Sequence, residues 1–247
     1  MIAQLKMCEN IRMDSQVMRG RIVLKDSIIE DGVITVEGQF ISHICPASDF
    51  SGELPQSSGS TFLPGLVDVH CHGGGGESFP NATTPEAAMQ AVMEHRRHGT
   101  TSLVASCVTA DADTLKARAR TLASLAEKDE IAGIHFEGPF VSHARCGAQD
   151  PTYIVDPDPD LTRELIDECK GYALSMTLAP EKPRAFGAGS VAEALIDGGA
   201  IPSWGHTDSN STFARQALEY SREHFAASST TRGPRATITH LFNGMRP

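Results

Sequence analysis

Residues 131–140 read IAGIHFEGPF, and this stretch decides the fold. A short apolar run leads into His135 and Glu137, and a Gly-Pro pair follows them. Alternate residues of a strand face the same side, so the imidazole and the carboxylate share one face. Polar groups at the end of a buried strand must be paired or used, because burying them alone is costly. The stretch therefore predicts a buried strand that delivers a polar site at its carboxyl end.

Similar short apolar runs recur from residue 61 onward, with segments of helical pattern between them. The six predicted strands lie within residues 61–73, 100–109, 131–140, 174–181, 201–208 and 235–244, and the five predicted helices lie near 85–99, 111–128, 159–170, 190–198 and 210–224. Alternating strands and helices are typical of an α/β fold with a parallel sheet. Because polar residues cluster at the strand ends, we favour a TIM-like (β/α)8 barrel with about six of its strands present. A doubly wound sheet is the alternative that element order alone leaves open.

The N-terminal region has a different texture. Residues 21–46 alternate apolar and polar side chains and are broken by Asp31-Gly32 and Glu37-Gly38, which is the pattern of small antiparallel strands joined by tight turns. Residues 47–60 are rich in Ser, Gly and Pro, as is typical of a linker. We therefore expect two parts: residues 1–60 with small strands and a linker, and residues 61–247 with an incomplete barrel that carries the site.

The composition excludes several classes of protein. The 247 residues carry a formal net charge of −10 without a basic stripe, so we expect no nucleic-acid partner. The six cysteines are scattered without paired spacing, which is typical of free thiols in a reducing compartment. The first residues lack the apolar core of a signal peptide, and no stretch is long enough to span a bilayer. We expect a cytoplasmic protein with no membrane partner.

The stretch DVHCHGG, residues 68–74, places two histidines on one face of the first barrel strand. His70 and His72 project together, and Cys71 projects to the other side. The four glycines at residues 73–76 would let a ligand approach closely. Two imidazoles with this spacing can bind one metal ion. The alternative interpretation is a pair of core histidines with backbone partners.

Two further histidines, His206 in WGHTD and His240 in THLFNG, lie near the ends of the fifth and sixth predicted strands. Each by itself is more typical of a structural histidine. Together with the earlier pair and Glu137 they are predicted to lie at one mouth of the barrel, where the carboxyl ends of parallel strands meet. Imidazoles with a carboxylate suit Zn²⁺, Fe²⁺ or a similar divalent ion. His135 lies one layer deeper and is predicted to support the ligands through hydrogen bonds.

Several of these stretches together resemble a known family. PGLVDVHCHG, HFEGPF, LAPE, WGHTD and THLFNGM resemble the amidohydrolase superfamily and, within it, the N-acetylglucosamine-6-phosphate deacetylases. DGVITVEGQFISHI, residues 31–44, resembles the first strands of the small β-sandwich that flanks the barrel in that family. The resemblance covers most of residues 21–247 and implies a metal-dependent hydrolase barrel with part of a β-sandwich.

The resemblance also implies metal ligands. Glu137, His206 and His240 match the principal ligands of the family. His70 and His72 match the pair that completes a second metal site in some members. One or two divalent ions, with Zn or Fe expected, would therefore be the cofactor.

Substrate contacts follow from the same resemblance. Asn243 and Gly244 match positions that contact the sugar phosphate, with Gly244 in place of a common Ala. Ala148 and Gln149 match contact positions in a substrate loop. A His is common where Gln149 stands, and Gln can hydrogen-bond but cannot carry a proton or a positive charge.

The implied reaction is hydrolysis of the acetamide of N-acetylglucosamine 6-phosphate to glucosamine 6-phosphate and acetate, a step of amino-sugar catabolism and cell-wall recycling. Family members resemble homodimers and continue past THLFNGM with two more strands and a catalytic Asp. We therefore expect the general acid–base Asp to lie beyond residue 247, and this chain to be a fragment that folds poorly or is inactive by itself.

Two alternatives stay open. The first is another amidohydrolase that acts on a cyclic amide or a nucleobase. HFEGPF and THLFNGM count against it, because such enzymes usually carry Lys or His at the position of Glu137. The second is a truncated remnant without catalysis that binds metal or sugar phosphate.

Overall fold

The computed structural model describes residues 15–229, 235–243 and 245. Two compact units divide the chain, Met1–Gly65 and Leu66–Pro247. The first unit contains strands β1 Ser15–Val23, β2 Ile28–Glu37, β3 Phe40–Pro46 and β4 Thr61–Phe62, with a 3-10 turn at Ala47–Asp49. These strands form one sheet in the order β3-β2-β1-β4. The division falls after Gly65, a few residues later than the predicted boundary, because Thr61–Phe62 pairs in parallel with β1.

The predicted turn at Asp31-Gly32 is wrong, since both residues lie inside β2. The Asp31 carboxylate accepts two hydrogen bonds from the Arg19 guanidinium of the neighbouring strand, at 2.8 and 2.7 Å. Gly32 faces Gly20, and a Cβ at Gly32 would lie 2.5 Å from the Ile22 side chain. The glycine therefore serves close packing between strands, whereas the other predicted turn, at Glu37-Gly38, joins β2 to β3 as expected.

The second unit alternates strands and helices. Its strands are β5 Leu66–Cys71, β6 Gly73–Gly74, β7 Glu77–Ser78, β8 Thr100–Val108, β9 Gly133–Glu137, β10 Ala173–Leu178, β11 Ile201–Trp204 and β12 Thr237–Ile238. Its helices are α1 Pro85–Arg97, α2 Ala112–Ala126, α3 Pro159–Glu168, α4 Val191–Asp197 and α5 Ser211–Ala227. The loop after β9 contains short 3-10 turns at His143–Arg145 and Pro151–Tyr153.

Six strands form one parallel sheet in the order β12-β11-β10-β9-β8-β5. This order confirms the predicted α/β fold with six strands of a barrel. Each strand pairs with the next one along the chain, as the winding of a barrel requires, whereas a doubly wound sheet reverses its order at a switch point. The carboxyl ends of the strands therefore meet at one edge, where the following loops can bring side chains together.

The central strand β9 is buried along its whole length. Ile134 and Phe136 belong to the apolar core formed with the helices, while His135 and Glu137 alternate with them and line a cavity. This alternation is the period of two that IHFE predicts. None of the helices in the described ranges combines the length and the apolar composition that a bilayer crossing requires.

Helix α5 begins close to the site and depends on a capping side chain. The Asn210 side-chain oxygen accepts hydrogen bonds from the backbone N–H groups of Thr212 and Phe213, at 3.0 and 3.1 Å. We expect Asn210→Ala to lower the free energy of unfolding by about 1 kcal/mol, because these N–H groups lose their acceptor. Urea unfolding followed by the fluorescence of Trp204, the sole tryptophan, measures the change. Asn210→Asp keeps the oxygen acceptor and should stay close to wild type; an equal loss in both variants would contradict the capping role.

The four consecutive glycines serve the fold rather than ligand access, contrary to the sequence interpretation. They form the β6–β7 hairpin, in which Gly73 and Gly74 pair with Ser78 and Glu77. A Cβ at Gly73, whose φ is +142°, would lie 2.3 Å from the Glu77 carbonyl oxygen. A Cβ at Gly74 would lie 3.0 Å from the imidazole of His95 on α1. The hairpin's own backbone therefore excludes a side chain at Gly73, and packing of the hairpin on this helix leaves little room for one at Gly74.

Candidate metal centre

Five side chains predicted to lie at strand ends converge in the structure. Glu137 ends β9 and is almost completely buried. All four surrounding imidazoles direct Nε2 toward its carboxylate; they belong to His70, His72, His206 and His240. The first of them lies in β5 and the second follows that strand, while the other two lie two residues beyond β11 and β12.

The two oxygens of Glu137 face different imidazoles. Oε1 lies 2.8 Å from Nε2 of His240, 2.9 Å from Nε2 of His206 and 3.5 Å from Nε2 of His70. Oε2 lies 2.9 Å from Nε2 of His72. The Nε2 atoms of His70 and His72 are 3.0 Å apart. One carboxylate thus separates two groups of nitrogen atoms, which is the geometry of a carboxylate able to serve two neighbouring cations.

The donor set fits a divalent cation or protonated imidazoles, but not neutral imidazoles alone. Nδ1 of His206 lies 2.8 Å from the Arg145 carbonyl oxygen, and Nδ1 of His72 lies 3.2 Å from the Ser106 carbonyl oxygen. Carbonyls only accept, so each Nδ1 carries a hydrogen, and each Nε2 of a neutral ring then turns a lone pair toward the Glu137 carboxylate. Two lone-pair atoms at about hydrogen-bond distance require a cation between them or a proton on the imidazole.

The same contacts shift the pKa values of the site. Burial alone would raise the pKa of Glu137, but hydrogen bonds from His206, His70 and His72 hold the pKa of this carboxyl far below its usual range. The hydrogen bond to Glu137 raises the pKa of His206. Burial opposes protonation of His72, yet the hydrogen bond and the charge of Glu137 raise its pKa overall. The carboxylate therefore stays ionised, and any protons of the site reside on the imidazoles.

Two of the histidines adopt a backbone conformation that side chains usually avoid. His206 has a φ of +48° and His240 a φ of +56°. Left-handed backbone is uncommon for residues with a Cβ and is often found where function holds a side chain in place. The backbone around His206 is fixed by Ser142, whose N–H donates to the His206 carbonyl at 2.9 Å. The sequence places both residues near a strand end but does not reveal these left-handed positions.

His135 lies beneath the histidines, but its two ring nitrogens contact hydroxyl groups and not the predicted ligands. Its Nδ1 is 3.0 Å from Ser106 Oγ and its Nε2 is 2.8 Å from Thr177 Oγ1. Burial, and then the neighbouring His70, lower the pKa of His135 to about 3, so this ring is neutral. The ring of His70 stands edge-on to it, with centroids 4.5 Å apart. The neutral His135 imidazole, fixed by two hydroxyl groups, packs against the His70 ring and limits its orientation.

The hydroxyl groups below the site form a continuous row. Thr177 Oγ1 lies 2.7 Å from Thr239 Oγ1, which lies 2.6 Å from Ser203 Oγ. These groups are buried and come from β10, β11 and the residue after β12. Each hydroxyl can donate and accept, so the row fixes the spacing of adjacent strand ends without introducing charge.

Gln149 lies in the cavity wall but does not project freely into it. Its amide Nε2 donates to Glu137 Oε2 at 3.0 Å, and its Oε1 accepts the backbone N–H of Thr109 at 2.8 Å. The buried amide therefore orients the carboxylate at the centre of the site. Ala148 and Asn243 line the same cavity, while Gly244 lies outside the described residues.

The cavity at the strand ends has a volume of about 1220 Å³ and includes all five converging side chains in its wall. Arg145 also lines it, but its guanidinium pairs with Asp208 at 2.9 Å. Lys182 pairs with Asp156 at 3.0 Å. Both basic side chains pair with carboxylates, so neither is free to bind a phosphate group in this arrangement.

Glu181 is a supporting residue that the sequence interpretation missed. Its carboxylate accepts the Asp208 backbone N–H at 2.7 Å and the hydroxyl of Thr207. Asp208 in turn pairs with Arg145, whose carbonyl holds Nδ1 of His206. The loop carrying His206 is thus fixed from two sides. LAPE places Glu181 after the fourth strand, but its partners lie more than a strand and a helix away in sequence, which local patterns do not reveal.

Comparisons with known proteins place these residues in context. Residues 61–218 match the model of the Amidohydrolase family. An N-acetylglucosamine-6-phosphate deacetylase of Bacillus subtilis (strain 168) is 31% identical over 240 residues, which cover 92% of this chain and 55% of that protein. An N-acetylgalactosamine-6-phosphate deacetylase of Shewanella sp. (strain ANA-3) is 28% identical, with coverage of 88% and 50%.

A solved structure shows the same architecture. It is a variant of an N-acetyl-D-glucosamine-6-phosphate deacetylase from Mycobacterium smegmatis in complex with N-acetyl-D-glucosamine-6-phosphate, with a TM-score of 0.80 and 31% identity. The match covers 94% of this chain and 57% of that chain. The chain described here therefore spans about half the length of the curated relatives that it matches.

Proposed function

This chain belongs to the amidohydrolase family, and we propose that it carries the metal-binding part of a deacetylase that hydrolyses the acetamide of N-acetylglucosamine 6-phosphate. The observation that carries the proposal is the convergence of four imidazoles on the buried Glu137 carboxylate at the strand ends. The names of the similar proteins support the substrate class. The products would be glucosamine 6-phosphate and acetate.

The proposed metal ligands divide between the two oxygens of Glu137. His206 and His240 with Oε1 would hold one divalent ion, and His72 with Oε2 would hold a second. His70 would join the second ion, because its Nε2 lies 3.0 Å from Nε2 of His72, although its contact with Glu137 is to Oε1 at 3.5 Å. Nitrogen and carboxylate donors of this kind suit Zn²⁺ or Fe²⁺. A bound ion of this kind supplies Lewis-acid polarisation of the amide carbonyl and lowers the pKa of water.

The residues of the chain contribute orientation and a shaped cavity to the proposed reaction. Gln149 fixes the Glu137 carboxylate, and the Arg145 carbonyl fixes the tautomer of His206. Ala148 and Asn243 line the cavity in which the sugar would lie. Two carboxylates near the site do not offer proton transfer, because Asp208 pairs with Arg145 and Asp150 caps the N–H of Thr152. We therefore assign no general acid–base group among the described residues.

The substrate assay has four members. Acetate release is measured from N-acetylglucosamine 6-phosphate, N-acetylgalactosamine 6-phosphate, unphosphorylated N-acetylglucosamine and a cyclic amide, with the purified chain and added Zn²⁺ or Fe²⁺. We expect turnover to favour the two phosphorylated acetamido sugars over the unphosphorylated sugar and the cyclic amide. Faster hydrolysis of the cyclic amide would overturn the substrate assignment.

Binding separates the proposed function from the non-catalytic alternative. Calorimetric titration with N-acetylglucosamine 6-phosphate should show binding that depends on added metal. Binding without any acetate release would favour a remnant that retains only the ligand site. Neither binding nor turnover in a folded, metal-loaded chain would reject the deacetylase proposal. The homodimer implied by the resemblance belongs to the same proposal, and light scattering measures it.

Metal affinity should depend on pH with a definite sign. Glu137 is ionised over the whole pH range because its pKa is low. His72 and His206 have raised pKa values, so protons compete with the metal ion for these imidazoles even at pH values above the ordinary pKa of His. We expect the Zn²⁺ affinity to fall from about pH 8 to about pH 6, with about one proton displaced per ion, because His72 and His206 are assigned to different ions. Chelator competition at a series of pH values measures this. An affinity that stays constant over the range would show that these histidines do not bind the ion.

A further inference from the structure

A second group of potential metal ligands comes from strand β5 and helix α1. It comprises the Asp68 carboxylate, the Cys71 thiol and the His95 imidazole, whose ligand atoms all lie within 4.8 Å of one another. Cys71 Sγ is 3.1 Å from His95 Nε2. The Gly73 carbonyl oxygen lies 3.0 Å from that Nε2 and 3.7 Å from that Sγ.

We propose that Asp68, Cys71 and His95 form a separate site for a thiophilic divalent cation such as Zn²⁺, with the Gly73 carbonyl as a neighbouring oxygen. The proposal is independent of the deacetylase function. Sulfur, imidazole nitrogen and carboxylate oxygen are the three donor types that Zn²⁺ takes in proteins, whereas Ca²⁺ and Mg²⁺ prefer oxygen donors alone.

The surroundings favour a built site over a chance cluster. The ligands come from β5 and from the last turn of α1, and the Gly73 carbonyl of the β6–β7 hairpin contacts both His95 and Cys71. The Cys71 side chain is buried, and the other two are partly buried. Gly74 lets the hairpin backbone reach His95, since a Cβ there would lie 3.0 Å from Nε2. A bound ion would join strand, hairpin and helix, which is the role of a structural zinc site.

The two sites differ in chemistry, which makes them separable. Cys71 projects away from its neighbours His70 and His72, which face Glu137. The candidate centre holds only nitrogen and oxygen donors among the described residues. The competing explanation for the second group is hydrogen bonding without metal. In that case His95 Nε2 carries a hydrogen and donates to the Gly73 carbonyl at 3.0 Å, Cys71 Sγ contacts the same Nε2 at 3.1 Å, and Asp68 Oδ1 accepts the His70 N–H at 3.1 Å. Detecting a metal–sulfur bond distinguishes the two.

Co²⁺ titration of the metal-free full chain tests the proposal. Thiolate bound to Co²⁺ gives a near-ultraviolet charge-transfer absorption that imidazole and carboxylate ligands do not give. We expect this band in the wild type, its loss in Cys71→Ser, and its retention in Cys146→Ser, where the thiol lies in the loop near His206. Zn²⁺ should displace the Co²⁺ and remove the band.

His95→Gln keeps the thiol and provides a second measurement if Cys71→Ser does not fold. Loss of the imidazole ligand should weaken Co²⁺ binding at this site by at least about tenfold. Removing a residue that only hydrogen-bonds to a metal ligand already costs about tenfold or more, and a direct ligand should cost no less. A wild-type chain without the band, a band that persists in folded Cys71→Ser, or an unchanged affinity in His95→Gln would each overturn the proposal.

Discussion

Glu137→Gln is expected to lower the affinity of the candidate centre for Zn²⁺ by at least about 100-fold. Removing a residue that only hydrogen-bonds to a metal ligand costs up to about 100-fold, and a direct ligand should cost at least as much. The substitution preserves shape but removes the carboxylate that all four imidazoles face. Both oxygens of Glu137 are in use, so a neutral amide weakens the interaction with both groups of histidines. Without the carboxylate, the cause of the raised pKa of His206 also disappears.

Chelator competition and elemental analysis of the dialysed protein measure this loss. Glu164→Gln is the matched control, since it makes the same chemical change at an exposed residue that pairs with Lys116. The control should bind metal like the wild type. If the Glu137→Gln chain retained wild-type affinity and stoichiometry while folded, Glu137 would not be a ligand and the proposed centre would be wrong.

Much of the architecture follows from local patterns. The period of two in IAGIHFEGPF predicts the buried strand β9, and the alternation of strands and helices predicts the parallel sheet. Parallel strands then bring their carboxyl ends to one edge, so Glu137, His206 and His240 can be grouped without any knowledge of contacts. These features depend on short-range sequence and on the geometry of the fold class.

The errors and omissions have a different origin. Asp31-Gly32 has the composition of a turn, yet Arg19 on the adjacent strand pairs with Asp31 and draws both residues into β2. Gln149 matches a substrate-contact position, but its amide bonds Glu137 and Thr109 across three segments of chain. In both cases a partner distant in sequence decides the conformation, and a single sequence does not display that partner.

Gly138 shows how tightly the backbone beside Glu137 is constrained. Its φ is +94°, and a Cβ would lie 2.1 Å from Thr109 Oγ1. That hydroxyl donates to the Glu137 carbonyl oxygen at 3.3 Å, and the Thr109 N–H donates to Oε1 of Gln149. A side chain at Gly138 would therefore displace Thr109. Thr109 contacts the Glu137 backbone and also holds Gln149, whose amide orients the Glu137 carboxylate.

Gly138→Ala is expected to destabilise the chain by about 1–3 kcal/mol through backbone strain and by about 1–3 kcal/mol more through overpacking against Thr109. Gly187→Ala separates the two contributions, because Gly187 has a φ of +102° but a Cβ there meets no atom within 4 Å. Urea unfolding should show a larger loss for Gly138→Ala, and the folded variant should bind Zn²⁺ more weakly while Gly187→Ala binds normally. Adding Thr109→Ala should recover part of the stability, because the overlapping hydroxyl is removed. Equal losses in the two glycine variants would mean that strain alone acts and that Thr109 does not set the position of Glu137.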